Sequence, residues 1–145
     1  MPILNYTTEV AAEKTVAEIQ RILAKAGAQH VGIEYDRGEP KAVAFTVRTP
    51  YGLRQFALPC NDDRVYKVML RDHTPPRYRN REQATRVAWR IVKDWLEAML
   101  AIIASEMVTL DQLMLPYMQT PAGHTVYEAF VMNQPQLEAG GRDGQ

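Results

Sequence analysis

A single cysteine, Cys60, excludes an internal disulfide. No apolar run approaches the roughly 18 residues that a membrane-spanning helix requires, so no membrane association is expected. The opening Met1-Pro2-Ile3-Leu4-Asn5-Tyr6 has neither the basic region nor the apolar core of a secretory signal, which makes a cytoplasmic location the expectation. The three histidines, His30, His73 and His124, lie far apart, with no second ligand at metal-binding spacing near any of them. Gly27, Gly32, Gly38 and Gly52 lack the spacing of a phosphate-cradling loop. Cys60 has no histidine near it in sequence and reads as a plain apolar thiol. Asp62-Asp63 could ligate a magnesium ion, but capping of a helix explains the pair equally well. No catalytic residues, metal or cofactor are therefore assigned, and a non-enzymatic role is expected.

Basic residues are nearly missing from the last third of the chain, where Arg142 stands alone after Lys93. They are concentrated just before it. Arg64, Lys67, Arg71, Arg77, Arg79, Arg81, Arg86, Arg90 and Lys93 face only Asp72 and Glu82 within their stretch, a formal +7. From Asp94 onward, seven acids against Arg142 give −6. A net charge of zero thus conceals two oppositely charged regions. Such asymmetry bears on partners more than on fold.

The apolar pattern predicts an α+β fold. Its N-terminal helix packs on a three-stranded antiparallel meander, and a long helix and short C-terminal helices follow, within one domain spanning 1–132. Residues 2–6 read as an edge strand. Thr7 or Thr8 would cap the first helix, with Ala12, Val16, Ile19 and Leu23 on one face and Gly27 as its stop. Three strands alternate about Val31, Ile33 and Tyr35, then Val43, Phe45 and Val47, then Phe56 and Leu58, broken by Asp36–Pro40 and Thr49–Gly52. Asn61-Asp62-Asp63 starts a short helix running to about Arg71, with Val65, Val68 and Met69 inward. Pro75-Pro76 makes His73–Arg79 an exposed basic loop. A long helix follows from Asn80 to near Glu106, with Gln83 as capping-box partner. Ala84, Ala88, Ile91, Trp95, Met99 and Ile102 would line its buried face, widened by Val92 and Ile103, which leaves Trp89 interfacial. Thr109/Gln112 and Thr125/Glu128 are two further capping boxes, opening short helices anchored by Leu113, Met114, Tyr117 and by Tyr127, Phe130, Val131. Residues 133–145 read as a disordered tail.

Arg86, Arg90 and Lys93 recur at i, i+4 and i+7, opposite the Trp95 stripe. Together with Arg77, Tyr78, Arg79 and Arg81 on the approach, they form a continuous positive ridge. Guanidinium groups suit phosphate oxygens and Tyr78 could stack on a base, so nucleic acid or a phosphate-bearing nucleotide is the expected partner. Two other readings remain open: ordinary solvation of a helix face, or a homo-oligomer contact in which this ridge meets the acidic C-terminal third of a second subunit. The apolar surplus after Met107 (Met114, Leu115, Tyr117, Met118, Phe130, Val131) also points to self-association.

Asn5-Tyr6-Thr7, Ala88-Trp89-Arg90-Ile91-Val92-Lys93-Asp94-Trp95, Leu115-Pro116-Tyr117 and Tyr127-Glu128-Ala129 together resemble a widespread family of small phage and prophage proteins of unassigned function. The resemblance implies a phage context, hence the cytosol of a host cell, and supplies no site residues. Within that context a second function is a counter-defence factor that blocks a host protein or sequesters an immune signalling nucleotide. The order helix, antiparallel sheet, helix is similar to the double-stranded-RNA-binding fold and to the core of nucleic-acid-annealing proteins. In both, the helix after the sheet turns basic residues toward nucleic acid. Here, Asn61–Arg79 intervenes between sheet and helix. A third function follows from Pro2: if Met1 is removed it becomes an N-terminal secondary amine, and an opening strand–helix–strand order resembles that of tautomerases, which use such a proline as base. That likeness covers residues 2–35, and the antiparallel meander departs from the family's parallel pairing.

Overall fold

The computed structural model describes residues 2–134; the tail expected from Asn133 lies, beyond Gln134, outside the described residues. The order is α1 (Ala12–Lys25), β1 (His30–Asp36), β2 (Glu39–Thr49), β3 (Gly52–Pro59), α2 (Asp62–Arg71), α3 (Arg81–Ala104), α4 (Leu110–Met114) and α5 (Val126–Met132). Short 3-10 turns occupy Pro76–Tyr78 and Leu115–Tyr117. This is the α+β architecture anticipated from the pattern. No helix among the described residues is long and apolar enough to cross a membrane.

The strands form one antiparallel sheet in the order β1-β2-β3. β1 and β2 are joined through Arg37 and Gly38, both at positive φ, the two-residue turn whose twist matches paired strands. Val43, Phe45 and Val47 of β2 and Phe56 and Leu58 of β3 point to one face and are buried. Val16, Ile19 and Leu23 of α1 cover that face together with Trp89, Val92 and Leu96 of α3. A second, smaller cluster joins Met69 of α2 to Ala84 and Val87 of α3.

The buried side of α3 differs from expectation. Trp89, expected at an interface, is fully buried, and its indole N–H donates to Pro40 O at 3.2 Å. Trp95, expected in the core, is half-buried, its ring edge-on to Tyr117 at 5.2 Å. Thr85, Trp89, Val92, Leu96 and Met99 make the stripe toward the sheet. Ala84 and Val87 serve the contact with α2, with Ile91 half-buried beside them. Because α3 is covered on two sides, two stripes one residue out of phase both look apolar in sequence, and the period cannot choose between them.

The N-terminal segment is not a strand. Leu4–Thr7 turns, with Asn5 at φ 66°, and α1 begins only at Ala12, with no side-chain cap. Gln83, expected to complete a capping box, instead donates from Nε2 to Tyr6 O (2.9 Å) and Thr8 O (2.8 Å), strapping the segment to α3. Asn80 alone caps α3, accepting from Gln83 N at 2.8 Å. Without the opening strand, the order on which a tautomerase likeness rests is not there. The boxes at Thr109/Gln112 and Thr125/Glu128 form as expected. α5, however, buries none of its residues: Tyr127, Phe130 and Val131 are exposed rather than anchors.

Asp62, in the first turn of α2, ties three elements together. Its carboxylate accepts from Lys41 Nζ of β2 at 2.8 Å and from Thr85 Oγ1 of α3 at 2.7 Å. Burial by itself would push the Asp62 carboxyl up. The hydrogen bonds from Lys41 and Thr85, with the charge of Lys41, outweigh it and hold the group below the usual range. A carboxyl depressed in the folded state stabilises the fold above its unfolded value, about pH 4, and that contribution is lost as pH falls through the lower folded value. Asp62→Asn should cost about 2–3 kcal/mol at neutral pH, since it leaves a partly buried ammonium with only the more distant Glu39 as counter-charge. It should also flatten the decline in Tm expected of the wild type below about pH 4; thermal melts across pH check both.

Candidate nucleic-acid interface

The seven residues of the expected ridge separate into two groups. On α3 the cations are engaged within the subunit. Arg90 Nη1 lies 2.7 Å from Glu18 Oε2 of α1 and 3.3 Å from Thr15 Oγ1, and its side chain is only 19% exposed. Lys93, 16% exposed, binds Glu97 on its own helix and stands 4.0 Å from the same Glu18 oxygen. Arg86 donates to Glu82 Oε1 and Gln83 Oε1, both at 3.0 Å. These three residues follow Thr85, Trp89 and Val92 by one position each. They therefore flank the buried stripe by about 100° instead of facing away from it. That rotation turns Arg90 and Lys93 toward α1, where Glu18 holds both.

The approach to α3 is more open. Arg81 is exposed, pairing with Asp63 at 2.9 Å and lying over the Tyr66 ring at 4.8 Å. An ion pair this solvated contributes little to stability and is readily exchanged for another anion. Arg77 is exposed and Arg79 half-buried; neither has an ion pair among the described residues. The loop is nevertheless pinned: Thr74 is buried, and Tyr78 packs edge-on to Tyr6 at 5.6 Å. Arg77 sits 5.2 Å over the Tyr78 ring, which occupies one of the two faces a base could use.

A row outside the expected ridge lies on the helix that precedes this loop. Arg64, Lys67 and Arg71 recur at i, i+3 and i+7 on α2, all exposed, on the side opposite buried Asp62 and Met69. Arg71 contacts Asp72 at 3.0 Å, while Arg64 and Lys67 have no ion pair among the described residues. The chain leaves α2 at Arg71 and returns at Arg81 to Asp63 in the first turn of α2, so the segment with Arg77 and Arg79 runs back along the helix. The spacing of Arg64, Lys67 and Arg71 was readable in sequence as a one-sided helical stripe.

Other sites carry less phosphate chemistry. A groove of about 580 Å³ between the outer sheet face and the segment after Tyr117 is lined by Ala42, Ala44, Ala57 and Tyr127, with Glu34 and Glu128. Another, of about 460 Å³, is lined by Glu13, Glu39, Glu82 and Arg86. Carboxylates in both oppose an anionic ligand. No group of three or more His, Cys, Asp or Glu residues is placed to hold a metal among the described residues. The Cys60 thiol is pushed up to about 12, by burial first and then by the charge of Asp62, with Lys41 opposing. Comparison with protein-family models, with curated proteins and with solved structures finds no match.

Two outcomes follow from this geometry. Glu18→Ala and Arg90→Ala should each destabilise the fold, and a double-mutant cycle by urea denaturation should return a coupling of about 1 kcal/mol, as for a half-buried pair. Cys60 should resist a thiol reagent at pH 8 in the native protein and react at once in denaturant, because the thiolate is the reactive form.

Proposed function

We propose that this protein binds nucleic acid through the exposed face of α2 and the loop that follows it. The supporting observation is the exposed row Arg64, Lys67 and Arg71 on one side of α2, with exposed Arg77 in the loop that follows and exposed Arg81 returning beside Asp63 at the start of the helix. Arg64 to Arg71 spans seven residues, about 10 Å of helix at 1.5 Å per residue, a length on which adjacent backbone phosphates can be met. A mononucleotide would favour an enclosed site, and each of the two grooves described above places carboxylates where its phosphates would lie. Arginine and lysine on a flat exposed surface neutralise phosphates and release counterions, which yields affinity with little sequence preference. Of the residues expected from sequence, Arg77, Arg79 and Arg81 remain contacts, and Tyr78 contributes at most one ring face. Arg90 and Lys93 are engaged where α1 packs on α3, and Arg86 is held by Glu82 and Gln83 of its own helix.

Fluorescence anisotropy with labelled oligonucleotides over a salt series tests this. The triple variant Arg64→Ala, Lys67→Ala, Arg71→Ala should keep its fold, weaken binding to all sequences, and lower the log–log salt slope by about 2. Arg90→Gln should lose stability and leave that slope unchanged. Equal affinity and slope for the triple variant and the wild type would refute the assignment.

A further inference from the structure

The two edges of the sheet are treated differently. Beyond β3, the chain returns: Met118 bridges Phe56, and Gln119 N donates to Gln55 O at 2.8 Å. Beyond β1, no strand or bridge follows among the described residues. A free edge is a template for another strand, and proteins usually blunt one with proline, lysine or a bulge. β1, His-Val-Gly-Ile-Glu-Tyr-Asp, has neither proline nor lysine. Its bulge lies at its far end, between Glu34 and Tyr35, leaving His30–Glu34 in regular register with β2.

Gly32, at the middle of that regular stretch, has no explanation within the subunit. A Cβ built on it would meet no atom within 4 Å, and its φ is not in the left-handed region. Glycine inside a strand weakens it, and commonly marks a place where another backbone comes close. Val31 and Ile33, on the core side of β1, are only half-buried, so their outer flanks are uncovered.

We infer that two copies of this chain associate by antiparallel pairing of β1 with β1, about a two-fold axis at Gly32. This register is self-complementary. Gly32 faces Gly32 of the partner subunit, where Cα atoms come within about 4.5–5.5 Å. Val31 faces Ile33 of the partner subunit on the core side, so each copy covers the half-buried flank of the other. His30 faces Glu34 of the partner subunit on the outer side, an imidazole N–H toward a carboxylate, repeated by symmetry. A register centred on Ile33 would set Gly32 against Glu34 and carry the pairing through the bulge, and so is disfavoured. The result is a continuous six-stranded sheet. Glu34 lines the outer groove, so His30 of the partner subunit reaches its rim. The β1 edge and the exposed face of α2 share no residue.

Sedimentation equilibrium of the full chain, with two sets of variants, tests it. The wild type should dimerise. His30→Glu, at an exposed position, sets like charges opposite each other twice and should weaken the dimer at least about tenfold. Adding Glu34→Lys should restore it. Gly32→Cys should form a disulfide-linked dimer on mild oxidation, since the expected Cα separation suits that bond. A wild type that stays monomeric near 1 mM overturns the inference. So does a dimer indifferent to His30→Glu that does not cross-link through Gly32→Cys, which would place the contact elsewhere, for example on the exposed Tyr127, Phe130 and Val131 of α5.

Discussion

The seating of Trp89 under the sheet sets the rotation of α3, and most of the remaining structure follows from that rotation. With the indole fully buried and its N–H on Pro40 O, Thr85 one turn earlier is brought to Asp62. Val92, Leu96 and Met99 are brought onto Phe45, Phe56 and the α1 stripe. Burying an aromatic of this size is among the larger single contributions available to a domain. The polar indole edge adds direction, because only one rotation meets the Pro40 carbonyl. Arg90 and Lys93 are then fixed on the flank of α3 that faces α1, where Glu18 pairs with Arg90 and, together with Glu97, with Lys93.

The Asp62 carboxylate works on the same joint from the other side. It lies at the start of α2, where negative charge complements the helix dipole, and it is held by Lys41 next to Pro40. Sheet, α2 and α3 therefore converge on one short segment of β2, Pro40-Lys41. Cys60, one residue from the next helix, is enclosed in this joint, which explains its suppressed ionisation. The N-terminal segment is added by Gln83 and Asn5, whose amides reach Tyr6 O, Thr8 O and Asp94.

Where one face of an element was buried and the other wet, its sequence was plainly legible. α1 shows Val16, Ile19 and Leu23 at helical spacing, and all three are core. β2 alternates Val43, Phe45 and Val47 inward with small or polar residues outward. The capping boxes at Thr109 and Thr125 depend on contacts within four residues, which sequence displays directly. What sequence did not reveal is set by contacts distant along the chain. The phase of α3 depends on Pro40, and the role of Gln83 depends on Tyr6 and Thr8. The same phase decides which cations are free. Clustering from Arg64 to Lys93 was visible, but its division into cations engaged by Glu18, Glu82 and Glu97 and cations facing solvent needs α1 and α3 in place.

That division of charge decides which cations are free to meet an anionic partner. NMR of the arginine Nε–H and lysine Nζ resonances during titration with a 12-nucleotide single strand reads it most directly. Shifts are expected at Arg64, Lys67, Arg71, Arg77 and Arg79, with Arg90 and Lys93 unmoved in their pairs with Glu18 and Glu97. Shifts at Arg90 and Lys93 beside a silent α2 would contradict it.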